Sequence, residues 1–319
     1  MRILVLSDIH YASPAEQERR GYEGAAVGSG WRRKLIEAYR YHVWLRDPFA
    51  HNSLVDQFLD KAGRADLVVA NGDFSCDSAF VGVSDDAAAD SARTVLAKLR
   101  RAHGDAFEGV IGDHELGKVS LAGGCGGLRL ASWSRSVGEL GLGAFWRREV
   151  DGCVIWGLCS SLLGLPVYLP ECLEEERDEW LQLRRDYIDE LEQRWQGEDQ
   201  RKPWILMLHD PTALPFLGGL PAMQSRFRQL EATIIGHLHS PLVFWKSRML
   251  AGLPPVRFMG TAIRRMTEAL SRGRAWRPFR VRLCPSLAGI ELLKDGGYLD
   301  ITRNTAGLNI KTCPILRQP

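Results

Sequence analysis

Short apolar runs, each followed by a polar motif, constrain the fold of this chain most strongly. Five such runs span three to five residues, and most are rich in Val, Ile and Leu. This length and composition are typical of strands buried on both faces. Polar residues just after strand ends form the ligand sites of α/β sheets. The runs are Ile3–Leu6, Asp66–Ala70, Phe107–Ile111, Trp204–Leu208 and Thr233–Ile235, and a sixth, Val154–Leu158, precedes Cys-Ser-Ser.

In the segments between these runs, apolar residues recur with the spacing of an α-helix. Ser53–Ala62 and Ala87–Ala102 are predicted helices, and the clearest pattern lies in Leu173–Trp195. The stretch Tyr11–His51 does not fit a regular unit, because four glycines precede a predicted helix over Trp31–Leu45. We predict that this stretch is an insertion over the edge of the functional site.

Bulk properties favour a cytoplasmic globular protein. Of the 319 residues, 45% are apolar and 25% are charged. The sequence has no apolar run of about 18 residues, so no membrane-spanning helix is predicted. The N-terminal apolar run is too short for a signal peptide, and seven scattered cysteines favour free thiols in a reducing compartment. Peripheral association with a membrane is left open.

The chain changes character after His239. That part has 14 Lys and Arg against 4 Asp and Glu, which suggests contact with something anionic. A turn is predicted at Lys294–Gly297, and the last fifteen residues or so are predicted to be a tail. The predicted elements are strands at Val256–Met259, Phe279–Leu283, Ile290–Leu293 and Tyr298–Ile301, and a helix at Thr261–Ser271.

The polar motifs combine histidine and carboxylate. Asp8 and His10 lie two residues apart after a strand, and His237 and His239 repeat this arrangement. Such donor sets suit Mn²⁺, Fe and Zn²⁺ better than Mg²⁺ or Ca²⁺. These residues exceed the needs of one ion, and a pair of ions that share a carboxylate can activate water against phosphate esters.

The order of the motifs resembles the calcineurin-like metallophosphoesterase superfamily. That family shows D-x-H, G-D-x-x-D, G-N-H-[DE], an isolated His and G-H-x-H, and the resemblance covers roughly residues 1–240. Five motifs in order, each after a strand, are far more specific than any one of them. The matching segments are Asp8-Ile9-His10, Gly72-Asp73 with Asp77, Gly112-Asp113-His114-Glu115, His209, and Gly236-His237-Leu238-His239.

The resemblance implies an α/β fold with a four-layer α-β-β-α sandwich, in which two packed mixed sheets are flanked by helices. It also implies two divalent ions, with Mn²⁺ the first expectation and Fe or Zn²⁺ as alternatives. The implied roles are Asp8, His10 and His239 on the first ion, Asp73 as the bridge, and Asp113, His209 and His237 on the second ion. His114 would be the general acid for the leaving oxygen and a hydrogen-bond donor to the phosphate.

Two positions depart from the family pattern. Asp113 stands where the family usually has Asn, so we expect firmer metal retention and a weaker Lewis acid. Asp77 follows Asp73 by four residues instead of three, so it receives no role. Residues 1–240 are predicted to form the catalytic core, and residues 241–319 to complete the same domain.

The implied reaction is hydrolysis of a phosphate ester or anhydride by a metal-bridging hydroxide. The substrate is unresolved among a phosphodiester, a nucleotide and a nucleotide-linked lipid pyrophosphate. The alternative is a binding or scaffolding protein on the same fold, with catalysis weakened at Asp113. No obligate protein partner is predicted.

Seven arginines fall within Arg264–Arg282. Arginine pairs with phosphate through two parallel hydrogen bonds, so Arg274, Arg277 and Arg280 are candidate substrate-binding residues. Trp276 could stack on a base, or the segment could contact an anionic membrane surface. A solvated basic face is the simpler alternative.

Overall fold

The computed structural model describes residues 1–27, 30–120, 124–237, 273–293, 295–305, 307–315 and 317. The strands are β1 (Arg2–Leu6), β2 (Leu67–Ala70), β3 (Phe107–Gly109), β4 (Phe145–Val150), β5 (Cys153–Leu158), β6 (Trp204–Leu208), β7 (Leu230–Ile235), β8 (Val281–Leu283), β9 (Gly297–Asn304) and β10 (Gly307–Pro314).

Helices connect most of these strands. They are α1 (Pro14–Gln17), α2 (Tyr22–Val27), α3 (Trp31–His42), α4 (Ser53–Ala62), α5 (Asp86–His103), α6 (Asp113–Leu116), α7 (Leu130–Gly138), α8 (Ser160–Leu163), α9 (Leu165–Tyr168), α10 (Arg177–Gln196), α11 (Leu214–Leu217) and α12 (Pro221–Arg226). Short 3₁₀ helices lie at Gly82–Ser84, Gly104–Ala106, Leu169–Glu171, Glu174–Glu176, Pro211–Ala213 and Gly273–Phe279.

The strands form two five-stranded mixed sheets, in the orders β10-β9-β1-β2-β3 and β4-β5-β6-β7-β8. Alternate residues of β1 explain the layering. Ile3 and Val5 join a core with Ile155 of the second sheet. Leu4 and Leu6 point the other way, into the core that contains helix residues such as Phe58. One face of β1 therefore packs against the second sheet and the other face packs against helices. The predicted sandwich is confirmed.

The C-terminal strands join both sheets. β9 pairs antiparallel with β1, β10 pairs with β9, and β8 pairs parallel with β7. The division of the chain at residue 240 stays a prediction. The predicted strand Val256–Met259 and helix Thr261–Ser271 lie outside the described residues.

Three local predictions in the C-terminal part were wrong. The predicted tail contains β10, and Ile290–Leu293 forms turns instead of a strand. The predicted hairpin turn at Lys294–Gly297 ends on the first residue of β9, and the β9–β10 hairpin reverses between Asn304 and Gly307 instead.

One strand nearer the N-terminus was not predicted. The edge strand β4 carries three charged residues among its six, so its sequence lacks the continuous apolar character of the central strands. No helix in the described part of the chain has the length and apolar character to cross a membrane.

A cluster of three tryptophans joins α10 to the second sheet. Trp195 of α10 lies with its ring centroid 6.1 Å from Trp156 and 5.4 Å from Trp204, on β5 and β6. All three are buried. Aromatic rings at such tilted contacts add to the free energy gained by burial.

We expect Trp195→Ala to lower the free energy of unfolding by about 3–5 kcal/mol, because it leaves a large cavity in a fully packed layer. Trp195→Phe should cost less, since an aromatic ring remains in contact with both neighbours. Urea denaturation followed by circular dichroism measures both. A loss below about 1 kcal/mol for the alanine variant would show that the layer collapses around the gap.

Candidate metal centre

The predicted ligands gather where strands of both sheets end. Asp8 follows β1, Asp73 follows β2, His209 directly follows β6, and His237 follows β7, while Asp113 begins α6 after β3. The carboxyl ends of parallel strands meet at one edge of a sheet. Packing of the two sheets brings their edges together, so residues far apart in sequence share one site.

Several of these residues have left-handed backbone conformations. The φ angles are 52° at Asp8, 48° at His10, 61° at Asp73 and 24° at His237. Non-glycine residues rarely adopt positive φ, although Asp, Asn and His do so more often than others. Backbone strain of this kind persists only where the surrounding structure imposes it, and it is concentrated at functional sites. The turns after the strands are therefore bent to aim side chains at one point.

One group of donors combines both sheets. Ligand atoms of Asp8, Asp73, His209 and His237 lie within 4.8 Å of one another. Asp113 adjoins this group, because its Oδ1 lies 3.3 Å from Nε2 of His209 and 3.5 Å from Nδ1 of His237. The structure thus places Asp113, His209 and His237 side by side. Asp8 lies within reach of the same group.

A second group shares one residue with the first. Ligand atoms of His10, Asp73 and His114 also lie within 4.8 Å of one another. The rings of His10 and His114 are stacked at a tilt, with centroids 4.6 Å apart. Nε2 of His114 lies 3.6 Å from Oδ2 of Asp73. Within the described residues, Asp73 is the carboxylate common to both groups.

Backbone carbonyls orient two of the imidazoles. Nδ1 of His209 lies 2.8 Å from the carbonyl of Asn71, and Nδ1 of His10 lies 3.2 Å from the carbonyl of Ser75. A proton on Nδ1 satisfies each carbonyl and leaves the lone pair of Nε2 facing the site. Metal-binding histidines commonly use their other nitrogen in this way.

Glycines before the ligands allow the strands to approach closely. Gly72 has a φ of 91°, and a Cβ there would lie 2.7 Å from Nδ1 of His209. A Cβ on Gly236 would lie 2.2 Å from Oγ of Ser7 and 3.2 Å from Oδ2 of Asp8. Both positions therefore exclude a side chain, and close packing explains why each motif has Gly there.

Glu115 ties the central loops together. Its carboxylate accepts hydrogen bonds from the backbone N–H groups of Gly112 at 2.8 Å, Asp73 at 2.9 Å and Phe74 at 2.7 Å. The N–H of His114 in turn donates to Oδ1 of Asp73 at 3.0 Å. The acidic residue at the end of the third motif thus fixes the loop that carries Asp73.

The site concentrates negative charge in a dry environment. Asp8, Asp73 and Asp113 are each at most 1% exposed. Burial, aided by the charge of Asp73, raises the pKa of Asp8 to about 8 and that of Glu115 to about 7. Buried carboxylates of like charge oppose one another's ionisation.

The histidines divide into two kinds. Burial disfavours the charged form of His209, but Asp73 and Asp113 outweigh it and raise the pKa of His209 well above its ordinary value. Burial lowers the pKa of His10 to about 4 and holds the pKa of His114 well below its ordinary value. Neutral imidazoles and crowded carboxylates are the donor set that divalent transition ions need. The residues present therefore fit a metal centre.

Two residues near the site were missed from the sequence. The ammonium of half-buried Lys118 contacts Nε2 of His114. No sequence signal pointed to Lys118, because α6 ends at Leu116 and Gly117 follows with a φ of 99°, so the contact depends on the path of the loop. Asp210 is buried, and its Oδ2 lies 3.7 Å from Nε2 of His237. A carboxylate there can orient the imidazole of His237.

The remaining candidates fall elsewhere. His239 and the side chain of Arg274 lie outside the part of the chain that the structure describes. Arg277 and Arg280 are exposed. The strand register places Val281 beside Thr233, four residues before His237, so Arg280 lies roughly 13 Å or more along the strand from the metal edge. Contact of these arginines with a remote part of a substrate stays a prediction.

The stacking role for Trp276 was wrong. Trp276 is 4% exposed and belongs to the core that contains Phe279. The ring of Phe279 in turn packs edge-on against Phe227 at 5.1 Å between centroids. The free energy gained by burying the indole of Trp276 thus outweighs the arginine-rich sequence around it, which had suggested a surface position.

We expect Glu115→Ala to lower the free energy of unfolding by about 3 kcal/mol or more, because three buried N–H groups lose their acceptor at about 1–3 kcal/mol each. Glu115→Gln keeps one acceptor oxygen and should cost clearly less. Urea denaturation of both variants gives the comparison. Equal losses for Ala and Gln would show that the charge of Glu115, and not its hydrogen bonds, stabilises the loop.

Comparison with known proteins identifies the family. No curated protein matches the chain by sequence. A solved structure of a phosphopantetheinyl hydrolase from Mycobacterium tuberculosis is 16% identical, with 75% of this chain and 83% of that chain covered and a TM-score of 0.34. The sequence profile of the calcineurin-like phosphoesterases matches residues 1–241, which include every motif described above. The chain belongs to the calcineurin-like phosphoesterase family.

Proposed function

We propose that this protein is a dinuclear metal-dependent phosphohydrolase. The observation that carries the proposal is the position of Asp73, which belongs to both groups of potential metal ligands. A carboxylate shared by two donor groups is the arrangement needed to hold a pair of ions at a short separation. Mixed imidazole and carboxylate donors favour Mn²⁺, Fe or Zn²⁺.

The family pattern suggests how the ligands divide, whereas the geometry groups Asp8 with His209 and His237 as well as with Asp73. Asp113, His209 and His237 would hold one ion together with Asp73. His10 and Asp73 would hold the other, with Asp8 and, by the family pattern, His239. When bound, the two ions would supply an activated water and Lewis acidity toward a phosphate oxygen.

Lys118 and His114 supply the protein's own contribution beside the ions. A neutral His114 can donate one hydrogen bond to a phosphate oxygen, and its general-acid role remains part of the proposal. The adjacent ammonium of Lys118 places a positive charge where a phosphate would enter. Charged donors aimed at developing negative charge are among the strongest contributors to catalysis.

The substrate class stays open among phosphodiesters, nucleotides and nucleotide-linked lipid pyrophosphates. A screen of the purified protein with Mn²⁺ against monoesters, diesters, nucleotides and a nucleotide-linked lipid addresses it directly. Turnover of any of these would also separate the hydrolase from the scaffolding alternative, which nothing in the described residues favours. Metal content without turnover of any phosphate compound would favour the scaffold.

We expect Asp73→Asn to abolish turnover of a chromogenic phosphodiester and to lower the metal content from about two ions per chain. The change removes the charge that both ions would share. Elemental analysis and a rate assay measure the two effects.

Asp77→Asn is the matched control for Asp73→Asn. Asp77 is also buried and also has a positive φ of 49°, yet it belongs to neither donor group. Burial raises its pKa well above the ordinary value, so a neutral amide is a close replacement. Full activity with two ions in Asp73→Asn, or equal damage from both variants, would contradict the bridging role.

We expect Lys118→Met to lower kcat for the same diester by about 10²-fold, because a charged donor is lost while the apolar stem remains. Metal content should not change. Lys118→Arg should restore part of the rate, since it returns the positive charge. An unchanged kcat in Lys118→Met would show that Lys118 takes no part in the reaction. A loss of metal in that variant would show that Lys118 acts by holding His114 in place.

A further inference from the structure

Exposed apolar side chains are concentrated at one place on the molecule. Seven large apolar or aromatic side chains are exposed in the part of the chain that the structure describes, and six of them lie on α3 or beside its end. We call these six the α3 face. Its members are Trp31, Leu35, Tyr39, Tyr41, Leu292 and Leu293, and the seventh exposed residue is Val137 on α7.

The helix itself presents a continuous stripe. Trp31, Leu35 and Tyr39 are four residues apart, so they lie along one side of α3. Trp31 is 71% exposed and Leu35 is 62% exposed. No residue of α3 whose side chain is described is buried. An amphipathic helix normally turns such a stripe toward a core, and here it faces outward.

Backbone hydrogen bonds extend the stripe to a second segment. The N–H of Glu291 donates to the carbonyl of Trp44 at 2.5 Å, and the N–H of Leu292 donates to the carbonyl of Val43 at 3.2 Å. Leu292 and Leu293 are thereby placed next to the end of α3. Exposed apolar side chains concentrated in this way mark a surface that binds something.

The helix is fixed to the body of the protein on its other side. Arg40 of α3 forms an ion pair with Glu23 of α2, and both side chains are largely buried. Tyr22 of α2 packs against Phe49 and Phe80, with ring centroids 5.6 and 5.4 Å apart. The outward direction of the stripe is therefore set by packing on its inner side.

Exposed positive charge accompanies the apolar residues at Lys34 and Arg46, whereas Arg33 is paired with Glu37 and Arg40 with Glu23. Between Trp31 and Arg46 the sequence has five Arg and Lys and one acidic residue, Glu37. Glu37 is already paired with Arg33 at 2.7 Å, and the guanidinium of Arg46 lies 4.1 Å above the ring of Tyr41. Trp and Tyr beside Lys and Arg on one helix match the boundary between anionic headgroups and acyl chains.

We propose that the α3 face docks the protein on an anionic lipid bilayer. Trp31, Leu35 and Tyr39 would enter the boundary between headgroups and acyl chains, and the exposed Lys34 and Arg46 would face the lipid phosphates. None of these residues belongs to the arginine-rich segment at 264–282. The inserted segment that carries α3 begins immediately after His10, so docking would also hold the metal centre close to the lipid surface.

The carboxylate of Glu16 reinforces this connection to the site. Glu16 accepts hydrogen bonds from the N–H groups of Cys76 at 3.3 Å and Ser78 at 3.0 Å, in the loop that follows Asp73. The insertion is thus bonded to a loop of the metal centre. Docking is independent of hydrolysis, however, because no residue of the α3 face belongs to either donor group.

The test is sedimentation of the full chain with vesicles of equimolar phosphatidylcholine and phosphatidylglycerol. The parent protein should bind them, and more weakly as salt is added. The variant Trp31→Gln/Leu35→Gln/Tyr39→Gln should bind at least ~10-fold more weakly, since binding scales with buried apolar area. Val137→Gln, which changes the exposed apolar residue outside the face, should bind like the parent.

Fluorescence gives a second readout that does not depend on affinity. Brominated lipids should quench part of the parent's tryptophan emission. In Trp31→Phe, which keeps an apolar ring and should still bind, most of that quenching should disappear. The triple variant should retain metal and hydrolyse a soluble diester as before, which separates this proposal from that of the phosphohydrolase.

Three results would overturn the proposal. The parent could fail to bind the anionic vesicles, or the triple variant could bind them as well as the parent does. The third is a parent protein that is dimeric by light scattering and becomes monomeric in the triple variant, which would make the α3 face an interface between two copies.

Discussion

The crowding of Asp8, Asp73 and Asp113 in one buried volume is the constraint on which the rest of the site depends. Charges of like sign in a dry environment repel strongly, and backbone N–H groups can compensate only part of that repulsion. The protein brings the carboxylates together nonetheless, through bent turns after the strands and through Glu115. The free energy of binding cations at the proposed centre would therefore be part of what stabilises these loops.

Asp113 shows how one substitution shifts this balance. The family usually has a neutral amide at that position, and the structure places the Asp113 carboxylate 3.3 and 3.5 Å from two imidazoles. An additional anion favours retention of a cation but also reduces the positive potential that a phosphate would experience. Lys118 lies close enough to His114 to return some of that potential.

Much of the fold could be predicted because its central strands are apolar throughout. β1, β2 and β6 were placed within one residue, since buried strands have continuous apolar sequences that nothing else explains. The edge strands β4 and β10 were missed for the opposite reason. Charged residues such as Arg147 on β4 and Lys311 on β10 interrupt the apolar pattern, and such sequences are weak signals without knowledge of the neighbouring strand.

Much of the site could be predicted for a related reason, because each motif closely follows a buried strand. What the sequence could not supply was the distance between side chains on different loops. The contact of Lys118 with His114 and the approach of Asp210 to His237 depend on how the loops fold over one another. The burial of Trp276 likewise depends on packing against residues distant in sequence.

The pairing of β9 with β1 also governs when the site can form during synthesis. Arg2 is aligned with Thr302, so one hydrogen-bonding edge of β1 has no native partner until the ribosome has made β9, about 300 residues later. Until then β1 has unpaired backbone groups along that edge, and such an edge can pair incorrectly with other strands. Asp8 lies just beyond that strand, so its final position is fixed late. Metal loading of the proposed centre would therefore follow the synthesis of β9, since Asp8 reaches its final position only when β1 is paired on both edges.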